Sequence, residues 1–405
     1  MGTYGNVDKM IRLGLHSWRE AEAHGLTRIR TLPRQGLRLR ATDGHEFINM
    51  VSCSYLGLNR HPKIVAGAIQ ALEQEATMSI SVSRARIAPR LLDEVEGRLS
   101  DLYRCHALTA ISCTAASAGV LPVLAAGHFT GGRKPVVAFD KACHFSMSVM
   151  KAAAGNETEV VICPHNDVGF LEDLCKRHST VAYVADGAYS LGDNANVDEL
   201  RSLQDRYGLF LYFDDSHSLS IHGRRGEGLV RASLDELGDR TIIVGSLAKA
   251  FGATGGVIML GTTAQMELLD YFGGPLSWSQ MANAAALGAI LASAELHLTD
   301  ELAHLQDRLR VNMSRIDELL PSENSGNGLP IRVFDLPDEA HAIAAAEQLY
   351  RQGFYTSAVF FPIVTQGRAG LRAMGRADLE DQDLQSFCQA MAEVTSKEFL
   401  NGPAW

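Results

Sequence analysis

A lysine set among small residues, Ser246-Leu247-Ala248-Lys249-Ala250-Phe251-Gly252, follows the apolar run Thr241-Ile242-Ile243-Val244. An amine at a strand's end stands where open α/β sheets place their ligands. Lying 35 residues upstream, a second apolar run, Leu209-Phe210-Leu211-Tyr212-Phe213, ends in Asp214-Asp215-Ser216-His217. An amine that forms a Schiff base with an aldehyde, and a carboxylate that pairs with a pyridinium nitrogen, are what pyridoxal phosphate (PLP) asks of a protein. Lys249 and Asp214 together suggest a PLP site.

Those residues need a scaffold that brings strand ends together. From about residue 60 to 285, helical stretches alternate with short apolar runs, read as strands at Leu108–Ile111, Pro135–Phe139, Glu159–Ile162, Thr180–Ala185, Leu209–Phe213, Thr241–Val244 and Val257–Leu260. Strands separated by helices imply an α/β fold with a large, mostly parallel, seven-stranded sheet covered on both faces. Ahead of it, residues 1–50 read as an arm. It holds an amphipathic helix, then a hairpin in which Leu37-Arg38-Leu39-Arg40 turns at Thr42-Asp43-Gly44 and returns through Glu46–Met50. A long helical stretch, Ala282–Leu320, leads from the sheet domain (51–285) into a smaller α+β C-terminal domain (286–405). That domain is expected to hold a strand at Ile331–Phe334, a helix through Ala340–Gln352, a strand at Tyr355–Phe361 and a last helix.

With 405 residues, 46% of them hydrophobic, the chain has the means to bury a large core. A net charge of −10 argues against nucleic acid or an anionic membrane as the main partner. The cysteines at 53, 105, 113, 143, 163, 175 and 388 are odd in number and lack paired spacing, which fits reduced thiols better than disulfides or a zinc site. The start, Met1–Asn6, has neither an apolar leader nor the serine or threonine of a myristoylation signal. No apolar stretch is long enough to span a bilayer. The expectation is a cytoplasmic protein without an integral membrane segment.

Several ordered motifs, from about residue 28 to 375, resemble those of the α-oxoamine synthases, PLP enzymes of the aspartate-aminotransferase (type I) fold. In Asp214-Asp215-Ser216-His217-Ser218, the resemblance makes Asp214 the partner of the ring nitrogen and His217 that of the ring hydroxyl. It makes Lys249 the covalent attachment and the base at the substrate's α carbon, with Ser246 on the phosphate. Asp140-x-x-x-His144-x-Ser146 implies that His144 stacks on the ring, and Asp186-Gly187-Ala188-Tyr189-Ser190 places Ser190 near the ring hydroxyl. Ser112, Cys113 and Thr114 occupy the phosphate loop, where cysteine and threonine replace the usual glycine and aromatic. Ser277 or Ser279 would reach the phosphate of a neighbouring subunit, which implies a homodimer with shared sites. Arg372, in Ala369-Gly370-Leu371-Arg372, would hold the amino-acid carboxylate, for which a planar guanidinium fork is suited. His165-Asn166-Asp167 matches a family motif that reads as a helix start rather than a site.

Departures bear on the substrates. Phe360-Phe361-Pro362 stands where the family usually has arginine before two prolines. Burying a distal carboxylate without a cation is costly, so the acyl donor is expected to be a neutral alkyl thioester. Cys53, in Ser52-Cys53-Ser54-Tyr55, replaces an asparagine that often helps bind the amino substrate, and Arg84 lacks the glycines that usually precede it. The amino-acid pocket is then expected to differ from that of glycine- or alanine-using members. The activity implied is condensation of an α-amino acid with an acyl thioester, delivered by coenzyme A (CoA) or a carrier protein, with loss of CO2 and the thiol. Another type I PLP reaction (aldolase, racemase or aminotransferase) and a non-catalytic relative are the alternatives, since fold and cofactor do not fix the reaction.

Overall fold

The structure, a computed structural model, describes residues 4–5, 7–33, 36–396 and 399, so most of the stretch read for a leader lies outside the described residues. The chain divides into two compact units, Leu56–Gln306 and Met1–Tyr55 with Asp307–Trp405. Among the described residues, no helix is long and apolar enough to cross a membrane.

The first unit is built on seven strands: β1 (His106–Ala110), β2 (Val136–Asp140), β3 (Val160–Cys163), β4 (Val181–Asp186), β5 (Phe210–Asp214), β6 (Thr241–Ser246) and β7 (Gly256–Leu260). Each expected strand is present, its ends within two residues of the expected ones. They lie in the order β1-β7-β6-β5-β4-β2-β3. Pairs among β2 to β6 are parallel, and β7 runs antiparallel to both of its neighbours. Alternation along a strand explains why these runs are apolar throughout. On β5, Leu211 and Phe213 enter one buried cluster with Tyr183, Leu200 and Phe251. Phe210 and Tyr212 enter another with Val120, Leu124 and Ile258. A sheet buried on both faces needs apolar side chains at every position.

The long C-terminal helical stretch is two helices, Ala284–Leu296 and Asp300–Leu319. Thr299 closes the first by donating its hydroxyl to the Leu296 carbonyl at 2.7 Å, and Asp300 and Glu301 supply the acidic first turn of the second. Ala284–Leu296 is no connector. It is apolar nearly all round and packs in the sheet unit against the helix Pro62–Glu75. There a Cβ on Gly288 would stand 2.3 Å from the Gly67 carbonyl oxygen. This packing moves the expected boundary from residue 285 to the middle of the second helix.

The N-terminal arm is likewise not separate. The hairpin strands Arg38–Ala41 and Glu46–Asn49 form, and Phe354–Tyr355 adds to the latter in parallel, pairing Phe354 with Ile48. The expected strand Tyr355–Phe361 is divided in two. Its second piece, Ser357–Val359, joins Ile331–Leu336 and Ala369–Met374 in a separate three-stranded sheet. Helices Val7–Ala23, Glu339–Arg351 and Asp381–Val394 complete this unit.

Candidate active site

Parallel strands collect their C-terminal residues at one edge, and here that edge is acidic. β2 ends at Asp140, β4 at Asp186, β5 at Asp214 and β6 at Ser246, with Asp186 and Asp214 direct register partners. Asp214 is buried, and its Oδ2 accepts from Ser146 Oγ at 3.2 Å and Cys113 Sγ at 3.3 Å. Its Oδ1 accepts from the Ser216 amide at 3.1 Å. Asp186 accepts from the His144 amide at 2.8 Å. Burial, then the charge of Asp214, push the Asp186 carboxyl well above the usual carboxylate range, while the charge of Lys249 acts against them. The same forces, burial first and Asp214 second, raise the Cys113 thiol, so it stays protonated and serves as a donor. Lys249 sits half-buried in the turn after β6, and its charge is felt by both Asp186 and Cys113.

His144 caps the short helix Phe145–Ser148, its exposed ring held by Ser146, whose Oγ lies 2.9 Å from Nδ1. Ser146 thus links the ring expected to stack on the cofactor to the carboxylate expected to anchor it. His217 is buried in the turn after β5. Beside it, Ser216 Oγ accepts from the Ser246 amide at 2.8 Å, joining the β5 turn to the lysine loop. Ser112 caps the helix Cys113–Ala125, its Oγ accepting from the Ala115 amide at 3.1 Å, and Thr114 is exposed in the first turn. β7 runs hard against this helix end: a Cβ on Gly256 would lie 2.8 Å from the Cys113 nitrogen.

These features fit PLP. A protonated ring nitrogen against Asp214 would relieve an edge carrying buried like charges. A phosphate suits the amides at the start of Cys113–Ala125, where the helix dipole favours an anion. Lys249 would supply the amine.

Other expected site residues are placed differently. Arg84 is a correction: all three of its guanidinium nitrogens are engaged, Nη1 and Nη2 on Glu96 at 2.8 and 2.6 Å and Nε on Asp270 at 3.0 Å. It is a buried structural ion pair. Ser277 donates its hydroxyl to the Leu269 carbonyl at 2.9 Å and is buried, whereas Ser279 is half-buried. Ser190 is half-buried in the turn after β4. In the second unit, Cys53, Tyr55 and Arg372 form one neighbourhood. Burial and then Cys53 raise the Tyr55 phenol, and the charge of Arg372 lowers it. Phe360 is a second correction. It is 1% exposed, with its ring edge-on to Trp18 at 5.3 Å, and so belongs to the core of this unit. Phe361 is half-buried.

The sequence reading passed over Asp186, Ser146 and Ser216 as site residues. Asp186 and Ser146 lie within motifs already singled out, but only the register of β4 with β5 sets Asp186 beside Asp214.

A mostly parallel α/β sheet with an amine, an anchoring carboxylate and a helix N-terminus at its carboxyl edge defines a PLP-dependent enzyme of the type I fold. The aminotransferase class I and II family matches residues 45–391, and the chain belongs to that family. The 8-amino-7-oxononanoate synthase of Thermoanaerobacter pseudethanolicus is 27% identical over 364 residues, covering 87% of this chain and 88% of that one. Its namesake in Geobacter metallireducens is 29% identical over 373 residues, covering 89% and 91%. Among solved structures, the Sphingomonas wittichii serine palmitoyltransferase superposes with a TM-score of 0.83 at 20% identity, covering 97% of this chain and 98% of that one. A serine palmitoyltransferase from S. paucimobilis, solved with a bound PLP–myriocin adduct, gives 0.83 at 21% identity, covering 96% and 98%. These relatives are α-oxoamine synthases, as the motifs implied.

Proposed function

We propose that the protein condenses an α-amino acid with an acyl thioester, releasing CO2 and the thiol and leaving an α-aminoketone. The observation that carries this reading is the set of Lys249, Asp214 and His144 at one sheet edge, together with relatives named for such condensations. When bound, PLP supplies a ring that accepts electron density from the amino acid's α carbon. Asp214 would hold the proton on the ring nitrogen, with Ser146, Cys113 and Ser216 fixing the carboxylate. His144 would lie on the ring face, and His217 and Ser190 would address its hydroxyl. Lys249 would take the α-carbon proton. Holding thioester and amino acid together makes the C–C step effectively unimolecular. Arg372, with Cys53 and Tyr55 beside it, would take the substrate carboxylate.

Borohydride reduction of the PLP-loaded protein, followed by peptide mapping, should place the label on Lys249, and Lys249→Ala should abolish both label and turnover. A label elsewhere would overturn the assignment. CO2 and free CoA released together distinguish condensation from other PLP chemistry.

The acyl group is proposed to be a neutral alkyl chain, since a phenylalanine, buried in the core, stands at 360 where the family usually has arginine and no cation is left there for a distal carboxylate. Steady-state assays should favour palmitoyl-CoA over succinyl-CoA, and the reverse preference would refute the proposal. A second copy of the chain is proposed to cover the exposed Trp278, Phe272, Ile80 and Val82, bringing Ser279 to its phosphate. Sedimentation velocity reads that assembly. The seven free thiols agree with a cytoplasmic setting.

A further inference from the structure

His165, in the turn after β3, joins two segments that the proposed function places around the cofactor. Its Nδ1 lies 3.0 Å from Asp140 Oδ1, and its Nε2 lies 2.7 Å from Asp193 Oδ2. An imidazole meeting a carboxylate at each nitrogen needs a proton on both, which only the imidazolium carries. Asp140 is fully buried at the end of β2. Its Oδ1 also accepts from the Ala142 amide at 2.7 Å, which shapes the turn leading to His144. Its Oδ2 accepts from Tyr183 Oη at 2.6 Å and the Asn166 amide at 3.0 Å.

Asp193 closes the turn that carries Ser190. Its carbonyl accepts from the Tyr189 amide at 2.8 Å, and residues Ala188 and Asn194 bridge across the turn. Asn166 Nδ2 donates to the Asn194 carbonyl at 3.0 Å, and the Tyr189 ring stands edge-on to His165 at 4.6 Å. Among the described residues, the titratable groups that meet His165 are Asp140 from β2 and Asp193 with Tyr189 from the turn, with Tyr183 of β4 behind Asp140.

We infer that His165 is a positioning residue: by bridging Asp140 and Asp193 it ties the His144 turn to the Ser190 turn and so fixes the groove that receives the cofactor ring. This rests on the proposed PLP site. Removing the imidazolium's charge would set a lone pair against one of two carboxylates and release the Ser190 turn. Hydrogen bonds to Asp140 and Asp193 push the His165 imidazole up to about 9, so the bridge is intact at neutral pH.

The test is titration of the full-length protein with PLP, followed by the cofactor's absorbance, below and above about pH 9. The unaltered chain should lose affinity on crossing that pH. His165→Gln should bind PLP roughly tenfold or more weakly at neutral pH, with no alkaline step, as expected for loss of charge-assisted bonds. Asp193→Asn, at a largely exposed side chain, should shift the step to lower pH. Both variants matching the unaltered chain in affinity and in the alkaline step would overturn the inference, even if their melting temperatures fell. Failure of the unaltered chain to bind PLP at any pH would overturn the proposed function and this inference with it.

Discussion

At the scale of single residues, Arg84 shows how burial changes the meaning of a motif. Its side chain is 7% exposed and Glu96 is 12% exposed, so the pair is nearly dry. Glu96 also accepts from the Thr109 amide at 2.6 Å and hydroxyl at 2.8 Å, locking the middle of helix Arg90–Tyr103 to β1. Removing one partner leaves the other charge buried and alone. Arg84→Ala should cost about 3 to 5 kcal/mol in urea unfolding. The folded variant should keep its KM for the amino acid, and a raised KM at full stability would restore the substrate role.

At the scale of elements, the proposed phosphate end of the site depends on how closely β7 meets the helix Cys113–Ala125. Gly256 has no side chain because there is no room for one. A methyl group placed there would meet the Cys113 nitrogen at 2.8 Å and the Ser112 carbonyl carbon at 2.8 Å. Gly256→Ala should push the helix end away from the sheet, at a cost of about 1 to 3 kcal/mol in stability. PLP affinity should drop with it, because the amides that would hold the phosphate move. Pyridoxal, which lacks the phosphate, should bind both forms equally. Equal losses for the two ligands would show that the helix end does not receive the phosphate.

For the whole molecule, buried histidine sets part of the response to pH. His297 closes Ala284–Leu296, donates from Nδ1 to the Ser293 carbonyl at 2.8 Å, meets Ser220 Oγ at 2.8 Å through Nε2, and lies against the Phe251 ring at 4.6 Å. Burial lowers its imidazole to about 4. A free histidine titrates near 6.5, so above that pH both folded and unfolded chains hold it neutral. As pH falls from about 6.5 to about 4, the unfolded chain takes up a proton that the folded chain refuses, and stability declines. The loss attributable to this residue should reach about 3 kcal/mol. Denaturant unfolding of the protein and of His297→Gln between those limits should show a shallower acid decline in the variant; parallel curves would refute this.

The sequence by itself determined the sheet and which residues stand at its edge, because uninterrupted apolar runs record burial on two faces and the motif residues sit at their ends. Lys249, Asp214, His144 and His217 were legible for that reason. The tertiary structure alone decided which polar residues are spent on one another. Arg84 reads as a substrate ligand until Glu96, 12 positions on, and Asp270 close on it. Phe360 reads as a pocket wall until Trp18 covers it. Asp186 and His165 acquire their settings from strands and turns far apart in the chain. Local pattern records whether a side chain is buried, but its partner is fixed by register and packing across the fold.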